Sequence, residues 1–139
     1  PLKKMSKSDS NLNNIIALLD SDMMIKKKIN RAVTDSGNKI IYSKDKPGLS
    51  NLIDIYVSLT NKDIKDVEAK YIGKMYSSLK KDLIDILIDF LNPIRKEYDK
   101  IINDKEYLNG VLAEGSDKAS VKAHKTLSKV YRKVGFVKK

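Results

Sequence analysis

A long run of apolar residues at helical spacing occupies the middle of the chain. It extends from Tyr76 to Ile102 and includes Leu79, Leu83, Ile86, Phe90, Ile94, Tyr98 and Ile101. Steps of three and four place these side chains on one side of an α-helix. Pro93 lies inside the run and lacks an amide donor, so we expect either a kink there or two helices that meet at Asn92. The run therefore predicts a long helix that packs in the core.

Two shorter helices are predicted before this segment. N-cap oxygens at residues 9–11 precede a first apolar face, formed by Leu12, Ile15, Ile16 and Leu19. Ser21 precedes a second, basic and amphipathic helix over residues 22–33, whose apolar side carries Met24, Ile25, Ile29 and Val33. The turn residues TDSGN end this pattern, and residues 39–42 suggest a short extended stretch.

Two more helices are predicted between that irregular region and the long helix. Residues 52–59 form an apolar pattern typical of a short helix, which Thr60 ends. The Thr60-x-x-Asp63 spacing predicts a capping box for a following helix that stops at Gly73.

The end of the chain is predicted to be helical as well. Asn103 or Asp104 can cap a turn that extends through Leu112, and a final helix runs from Ser116 to about Val134. There are no convincing strand pairs and no repeat of fixed period. The predicted fold class is therefore all-α, a compact set of antiparallel helices.

The composition excludes several classes of function. No apolar run reaches the roughly 20 residues that cross a bilayer. There is no cysteine, and the single histidine, His124, cannot hold a metal alone. The opening lacks the apolar stretch of a signal peptide, which favours a cytoplasmic location. Because residue 1 is proline and Met5 lies inside a motif, we expect a fragment of a longer protein.

The chain carries a formal net charge of +10, which favours polyanionic partners. The final predicted helix concentrates part of this charge on one face, where Lys118, Lys122, Lys125, Lys129 and Lys133 recur at steps of three and four. Such a stripe suits a phosphate backbone. A solvated surface in a lysine-rich chain is an equally good interpretation from the residues alone.

The KMSKS signature of class I aminoacyl-tRNA synthetases stands complete near the start, at Lys4-Met5-Ser6-Lys7-Ser8. The sequence that follows is similar to the bacterial-type tryptophanyl-tRNA synthetase family along nearly the whole chain. The resemblance rests on Asp9 and Asn11, Leu18-Leu19-Asp20, Lys27-Lys28-Ile29, Ala32-Val33-Thr34-Asp35-Ser36, Lys46-Pro47-Gly48, Ser50-Asn51-Leu52, Ile55-Tyr56, Leu112-Ala113-Glu114-Gly115, Ala119 and Val134-Gly135. The stretch GKMYSS at residues 73–78 departs from the family, which has another glycine there.

This resemblance implies an ATP-dependent tryptophan ligase in which the KMSKS residues contact ATP, supplied with Mg²⁺. Lys4 and Lys7 would stabilise the pyrophosphate leaving group, and Met5, Ser6 and Ser8 would complete the ATP contacts. It further implies a homodimer and an upstream nucleotide-binding domain that carries the tryptophan pocket and is absent here. The isolated chain is therefore expected to be inactive.

The resemblance also implies a division of the chain, with the KMSKS loop at residues 1–11 and a helical domain at residues 12–139 that binds the anticodon of tryptophan tRNA. The basic stripe and Arg132 are the candidate tRNA contacts, with Tyr107 and Tyr131 as possible stacking residues. Two alternatives stay open. One is a stand-alone basic helical RNA-binding module, and the other is a helical protein-interaction domain.

Overall fold

A computed structural model describes residues 11–136 of the chain. A 3₁₀ turn is followed by five α-helices, with the bounds Leu12–Asn14 for the turn and Asp22–Arg31 (α1), Pro47–Thr60 (α2), Ile64–Lys70 (α3), Tyr76–Asn103 (α4) and Lys105–Val134 (α5). No strand occurs within residues 11–136. The all-α fold class is confirmed.

The chain divides into two units, one that ends at Arg95 and one that begins at Lys96. All the buried apolar side chains of the described residues belong to the first unit: Ile25, Ile29, Ile40, Leu49, Leu52, Ile53, Tyr56, Val67, Tyr71, Leu79, Leu83, Ile84, Leu87 and Leu91. These residues come from helices α1 to α4, from the segment between α1 and α2, and from the C-cap of α3, Tyr71. Burial of each large side chain contributes about 1.5–3 kcal/mol, so this shared core holds the four helices together.

The start of α1 follows the prediction, and α2 begins earlier than predicted. The Ser21 hydroxyl accepts a hydrogen bond from the Met24 amide at 3.3 Å, which satisfies one free donor of the first turn of α1. Helix α2 begins at Pro47 rather than near residue 52, because proline fits the first helical position without a lost hydrogen bond. A Cβ atom at Gly48 would lie 2.1 Å from the Val33 carbonyl oxygen, so only glycine fits this second helical position.

The first predicted helix is wrong. Only the 3₁₀ turn Leu12–Asn14 forms, and residues 15–20 are not helical. The Asn11 side chain accepts a hydrogen bond from the Asn13 amide at 3.1 Å, a local bond that competes with helix formation. The extended stretch at residues 39–42 is also absent as a strand, although Ile40 within it is buried.

Two details of the predicted helix boundaries are corrected. Thr60 is the last residue of α2, and its hydroxyl donates to the Tyr56 carbonyl at 2.8 Å. It therefore takes no part in a capping box, and Asp63 alone occupies the N-cap of α3. The two predicted C-terminal segments form one continuous helix, α5, because neither Gly110 nor Gly115 interrupts it.

The long central helix is confirmed. It begins at Tyr76, as predicted, and ends at Asn103, one residue later than predicted. Helix α4 continues through Pro93, so the prediction of two helices that meet at Asn92 is wrong. The side chains that reach the core are shifted from those predicted: Phe90 and Tyr98 remain 49% and 43% exposed, whereas Leu87 and Leu91 are buried. The buried residues of α4 all lie between Leu79 and Leu91.

Helix α5 makes up most of the second unit and has no buried residue. The Asp104 carboxylate accepts a hydrogen bond from the Tyr107 amide at 2.9 Å and caps its start, as predicted. Gly135 ends it in the left-handed conformation, with φ of 75°, also as predicted. None of the helices within residues 11–136 combines the length and the apolar character of a membrane span.

Candidate functional site

The predicted ATP-contacting residues, Lys4, Met5, Ser6, Lys7 and Ser8, lie outside the described residues. The structure does describe the segment that connects this motif to the helices. That segment runs from Asn11 to Ser21, and its mode of attachment determines how the motif is joined to the rest of the first unit.

A buried ion pair attaches the end of this segment to α1. The Asp20 carboxylate lies 2.6 Å from the Lys28 ammonium, and both side chains are only 6% exposed. The same carboxylate oxygen accepts a hydrogen bond from the Ala17 amide at 2.9 Å. An ion pair this buried holds its partners firmly, because loss of either partner leaves a charge without water or counterion.

Arg95 of α4 adds a second attachment at the same place. Its guanidinium donates to the Asp20 carbonyl, to the Asp22 carboxylate and to the Asn92 side chain, each at 2.6 Å. The segment after the motif is thus tied to α1 and α4 simultaneously. We call Asp20, Lys28 and Arg95 the anchor cluster.

A second polar cluster holds the irregular segment between α1 and α2. The Tyr76 hydroxyl donates to the Asp35 carboxylate at 2.8 Å, and the Lys46 ammonium lies 3.0 Å from the same carboxylate. The hydrogen bond from Lys46 lowers the pKa of Asp35 below its ordinary value. Lys46 also donates to the Tyr76 hydroxyl at 2.9 Å, so all three groups are mutually satisfied. This arrangement is structural and leaves no polar group directed at a ligand.

A third cluster surrounds Lys70 at the end of α3. Its ammonium donates to Asp82 at 2.6 Å and to the Tyr56 hydroxyl at 3.0 Å, and the Tyr71 hydroxyl donates to Asp82 at 2.6 Å. The hydrogen bond to Asp82 raises the pKa of Lys70, and burial raises the pKa of Tyr71. Asp82 is therefore a structural acceptor. Within residues 11–136, no group of three or more acidic or histidine side chains is arranged to hold a metal ion.

The lysines of the predicted basic stripe all lie on α5 and are exposed. Since successive helical residues are about 100° apart, they fall within one sector of about 80° around the axis. We call this sector, formed by Lys118, Lys122, Lys125, Lys129 and Lys133, the basic sector. Lys118 pairs with Glu114 one turn earlier. Residues 118–134 contain no Asp or Glu, so the other four ammonium groups have no acidic neighbour later in the helix.

The other candidate tRNA contacts also lie on or near this helix. Arg132 is exposed, and its guanidinium nitrogen lies 3.4 Å from the Ser128 carbonyl. The Tyr131 ring makes an edge contact with Phe136, with ring centres 5.9 Å apart, whereas Tyr107 is exposed. The geometry therefore offers an accessible row of cations that can neutralise phosphates, with a salt-dependent affinity.

The anchor cluster was missed by the sequence analysis, which did not include Lys28 in the apolar side of α1. One signal was available: Lys28 lies about 60° from Ile25 around the helix axis, at the edge of the apolar face. A lysine at such an edge can bury its stem, and it buries its charge only when an acidic partner is present.

Comparisons with known proteins give consistent results. Residues 1–92 match the family model described as tRNA synthetases class I (W and Y). The chain is 46% identical over 137 residues to a tryptophan–tRNA ligase from Clostridium acetobutylicum. The alignment covers 99% of this chain and 41% of that protein. It is 45% identical over 137 residues to a tryptophan–tRNA ligase from Clostridium tetani. That alignment covers 99% of this chain and 40% of the relative.

A solved structure agrees with these relatives. The crystal structure of tryptophanyl-tRNA synthetase from Mycoplasma pneumoniae superposes with a TM-score of 0.73 at 31% identity. The superposition covers 97% of this chain and 41% of that one. The chain thus spans about two-fifths of the length of each relative.

Proposed function

Since this chain belongs to the class I tRNA synthetase family of the tryptophan and tyrosine enzymes, we propose that it is the C-terminal part of a tryptophan–tRNA ligase. In this proposal residues 1–11 provide the KMSKS loop, and residues 12–139 form a helical domain that binds the anticodon of tryptophan tRNA. The observation that carries the proposal is the family match, which extends through the motif and the helices as far as residue 92.

The KMSKS residues serve the first step of the reaction, in which the tryptophan carboxylate attacks the α-phosphate of ATP. The new bond forms between a carboxylate oxygen and the α-phosphorus, the bond from that phosphorus to the bridging oxygen breaks, and pyrophosphate leaves with the electron pair. The ammonium groups of Lys4 and Lys7 stabilise the charge that develops on the leaving group. Met5, Ser6 and Ser8 complete the contacts to ATP, which enters with Mg²⁺.

The anchor cluster, which lies within the described residues, supports this assignment. A motif that acts on a leaving group needs defined attachment points, because misplacement of a charge by about 1 Å can cost on the order of 100-fold in rate. The Asp20–Lys28 pair and the bond from Arg95 to the Asp20 carbonyl attach the segment after the motif to α1 and α4, and the bond from Arg95 to Asp22 joins these two helices.

The helical domain supports the tRNA half of the proposal through the basic sector of α5. Its ammonium groups are exposed and in line, as contact with a phosphate backbone requires. Arg132 is a further candidate contact. The tryptophan pocket and the nucleotide-binding domain belong to the remaining three-fifths of the enzyme, so the isolated chain is expected not to activate tryptophan. The complete enzyme is proposed to be a cytoplasmic homodimer.

The tRNA role is tested by titration of this chain with an anticodon stem-loop of tryptophan tRNA, at two salt concentrations. A stem-loop with a scrambled anticodon is the control. Preferential, salt-dependent binding of the CCA loop is expected. Equal binding of both loops would reduce the role to electrostatic attraction, as for a general RNA-binding module. Binding of neither loop, at either salt concentration, would reject an autonomous anticodon-binding domain.

The ATP role is tested in the complete enzyme by exchange of labelled pyrophosphate into ATP. Lys7→Ala is expected to lower kcat on the order of 100-fold, since it removes a donor to the leaving group. Lys3→Ala is the matched control, because Lys3 is a neighbouring lysine outside the motif. Equal effects of the two substitutions would show that only the general charge of the segment matters.

A further inference from the structure

Helix α4 holds both ends of α1 through cationic side chains. At the start of α1, the Arg95 guanidinium donates to the Asp20 carbonyl and to the Asp22 carboxylate, each at 2.6 Å. At the C-terminal end of α1, the Lys80 ammonium donates to two backbone carbonyl oxygens, at 3.1 and 2.8 Å. Each of these two residues of α4 thus fixes one end of the same helix.

The two ends of α1 differ in the part of the chain to which they lead. The carbonyls that Lys80 binds are followed by the irregular segment before α2. The carbonyl that Arg95 binds belongs to Asp20, which precedes α1, and the chain before it leads back to the KMSKS motif. A displacement at the Arg95 end is therefore passed to the motif, whereas one at the Lys80 end is not.

The backbone that Arg95 holds is a closed turn. The Asp20 amide donates to the Ala17 carbonyl at 3.1 Å, and the Ala17 amide donates to the Asp20 carboxylate at 2.9 Å. Ile16, directly before the turn, packs against the buried core. Because the turn is closed by its own hydrogen bonds, a shift of Asp20 moves all four of its residues and the chain that precedes them.

The guanidinium of Arg95 is itself held in place. Its side chain is only 16% exposed, and a third bond, to the Asn92 side chain at 2.6 Å, fixes it on its own helix. A planar guanidinium donates in fixed directions, so three bonds leave it little freedom to rotate. Its acceptor in the turn is a backbone oxygen, and the position of the turn therefore follows directly from that of Arg95.

We propose that Arg95 is a positioning residue for the activation of tryptophan, and that it places the KMSKS lysines through its bond to the Asp20 carbonyl. This inference rests on the function proposed above. Without the guanidinium the turn shifts, and Lys4 and Lys7 are aligned less well with the leaving group. The loss falls on the transition state, because the charge that the two lysines stabilise develops only there.

The test measures the exchange of labelled pyrophosphate into ATP by the complete enzyme, well below the unfolding temperature of each variant. Arg95→Met keeps an apolar stem of similar length and removes all three bonds. It is expected to lower kcat on the order of tenfold and to change the KM for ATP less than about twofold. An unchanged kcat would overturn the proposal. If Arg95→Met does not fold, Arg95→Lys, which lacks the planar fork, is judged by the same measurement with an expected loss of about threefold.

Lys80→Met is the matched control, because it removes the donor at the other end of α1. Both variants are expected to lower the urea midpoint of unfolding, since each loses hydrogen bonds to α4. Only Arg95→Met is expected to lower kcat. An equal loss of kcat in the two variants would show that activity depends on the stability of α1 in general, and it would overturn the positioning role.

A double variant shows whether Arg95 acts through the motif. If it does, adding Arg95→Met to Lys7→Ala should lower kcat by less than about threefold, instead of the roughly tenfold expected in the wild-type enzyme. Independent effects would multiply, to a total loss on the order of 1000-fold. Such a multiplied loss would contradict a role that runs through the KMSKS lysines.

The single variants separate failure of this inference from failure of the proposed function. If Lys7→Ala is no slower than Lys3→Ala, the proposed ATP role of the motif fails, and the positioning role fails with it. If Lys7→Ala is slow and Arg95→Met is as fast as the wild-type enzyme, only the positioning role is overturned.

Discussion

Replacement of Lys28 by methionine tests whether the buried ion pair is a necessary part of the fold. Methionine has a similar length and volume, so the substitution removes the charge with little change in packing. The Asp20 carboxylate would then remain 6% exposed, with the Ala17 amide as its remaining donor in place of the lysine. Removal of one partner of a buried pair costs about 3–5 kcal/mol.

The size of this loss can be compared with an exposed pair in the same chain. Lys118 and Glu114 are 73% and 66% exposed, so Lys118→Met is expected to cost at most about 0.5 kcal/mol. With a urea dependence of about 2 kcal/mol per molar, Lys28→Met should lower the unfolding midpoint by about 1.5–2.5 M. The control should leave it almost unchanged.

The assay is urea unfolding followed by near-ultraviolet circular dichroism. The chain has no tryptophan, so this signal comes mainly from tyrosines, and Tyr56 and Tyr71 lie in the core beside α3. The double variant Asp20→Asn with Lys28→Met removes both charges, and the amide oxygen at residue 20 can still accept the hydrogen bond from the Ala17 amide. It should recover most of the lost stability. Equal midpoints for the two Lys→Met variants, or a double variant no better than the single, would refute the reasoning.

Three further outcomes follow from the structure. Gly48→Ala forces a Cβ to within 2.1 Å of the Val33 carbonyl oxygen and should destabilise the fold by about 1–3 kcal/mol in thermal unfolding, whereas Gly110→Ala, with open space around it, should not destabilise. The pKa of Asp82 is held below its ordinary 3.8 by the hydrogen bond from Lys70. The contribution of this carboxylate to stability is therefore complete above pH 3.8 and is lost as the pH falls through the lowered value. Asp82→Asn should make the free energy of unfolding depend less on pH in this acid range. Replacement of each lysine of the basic sector by alanine should reduce the salt dependence of stem-loop binding by about 0.7 in log–log slope, and an unchanged slope would exclude that lysine from phosphate contact.

The sequence predicted those parts of the fold that depend on local chemistry. The period of α4, the Ser21 and Asp104 caps and the Gly135 terminus each involve residues within a few positions of one another, and each is confirmed. One failure also has a local cause. Near Asn11 an apolar period was outweighed by asparagine side chains that bond to nearby amides.

Long-range contacts explain what the sequence could not predict. The basic sector follows from helical period alone, so it was visible in the sequence and lies on one helix as expected. The anchor cluster joins Arg95 to a carbonyl 75 residues earlier, and no local pattern marks such a pair. The KMSKS role and the anticodon contacts remain predictions.

The bonds of Arg95 have a consequence for the order in which the chain is completed during synthesis. Asp20 and Asp22 leave the ribosome 75 and 73 residues before the arginine that binds them. At 5–20 residues per second this delay is about 4–15 s. During that interval the Asp20–Lys28 pair can form, but the hydrogen bond from the Arg95 guanidinium of α4 to the Asp20 carbonyl cannot. The N-terminal segment is therefore secured only after nearly all of the first unit has been translated, so nascent chains that stop before residue 95 should remain open to proteolysis there.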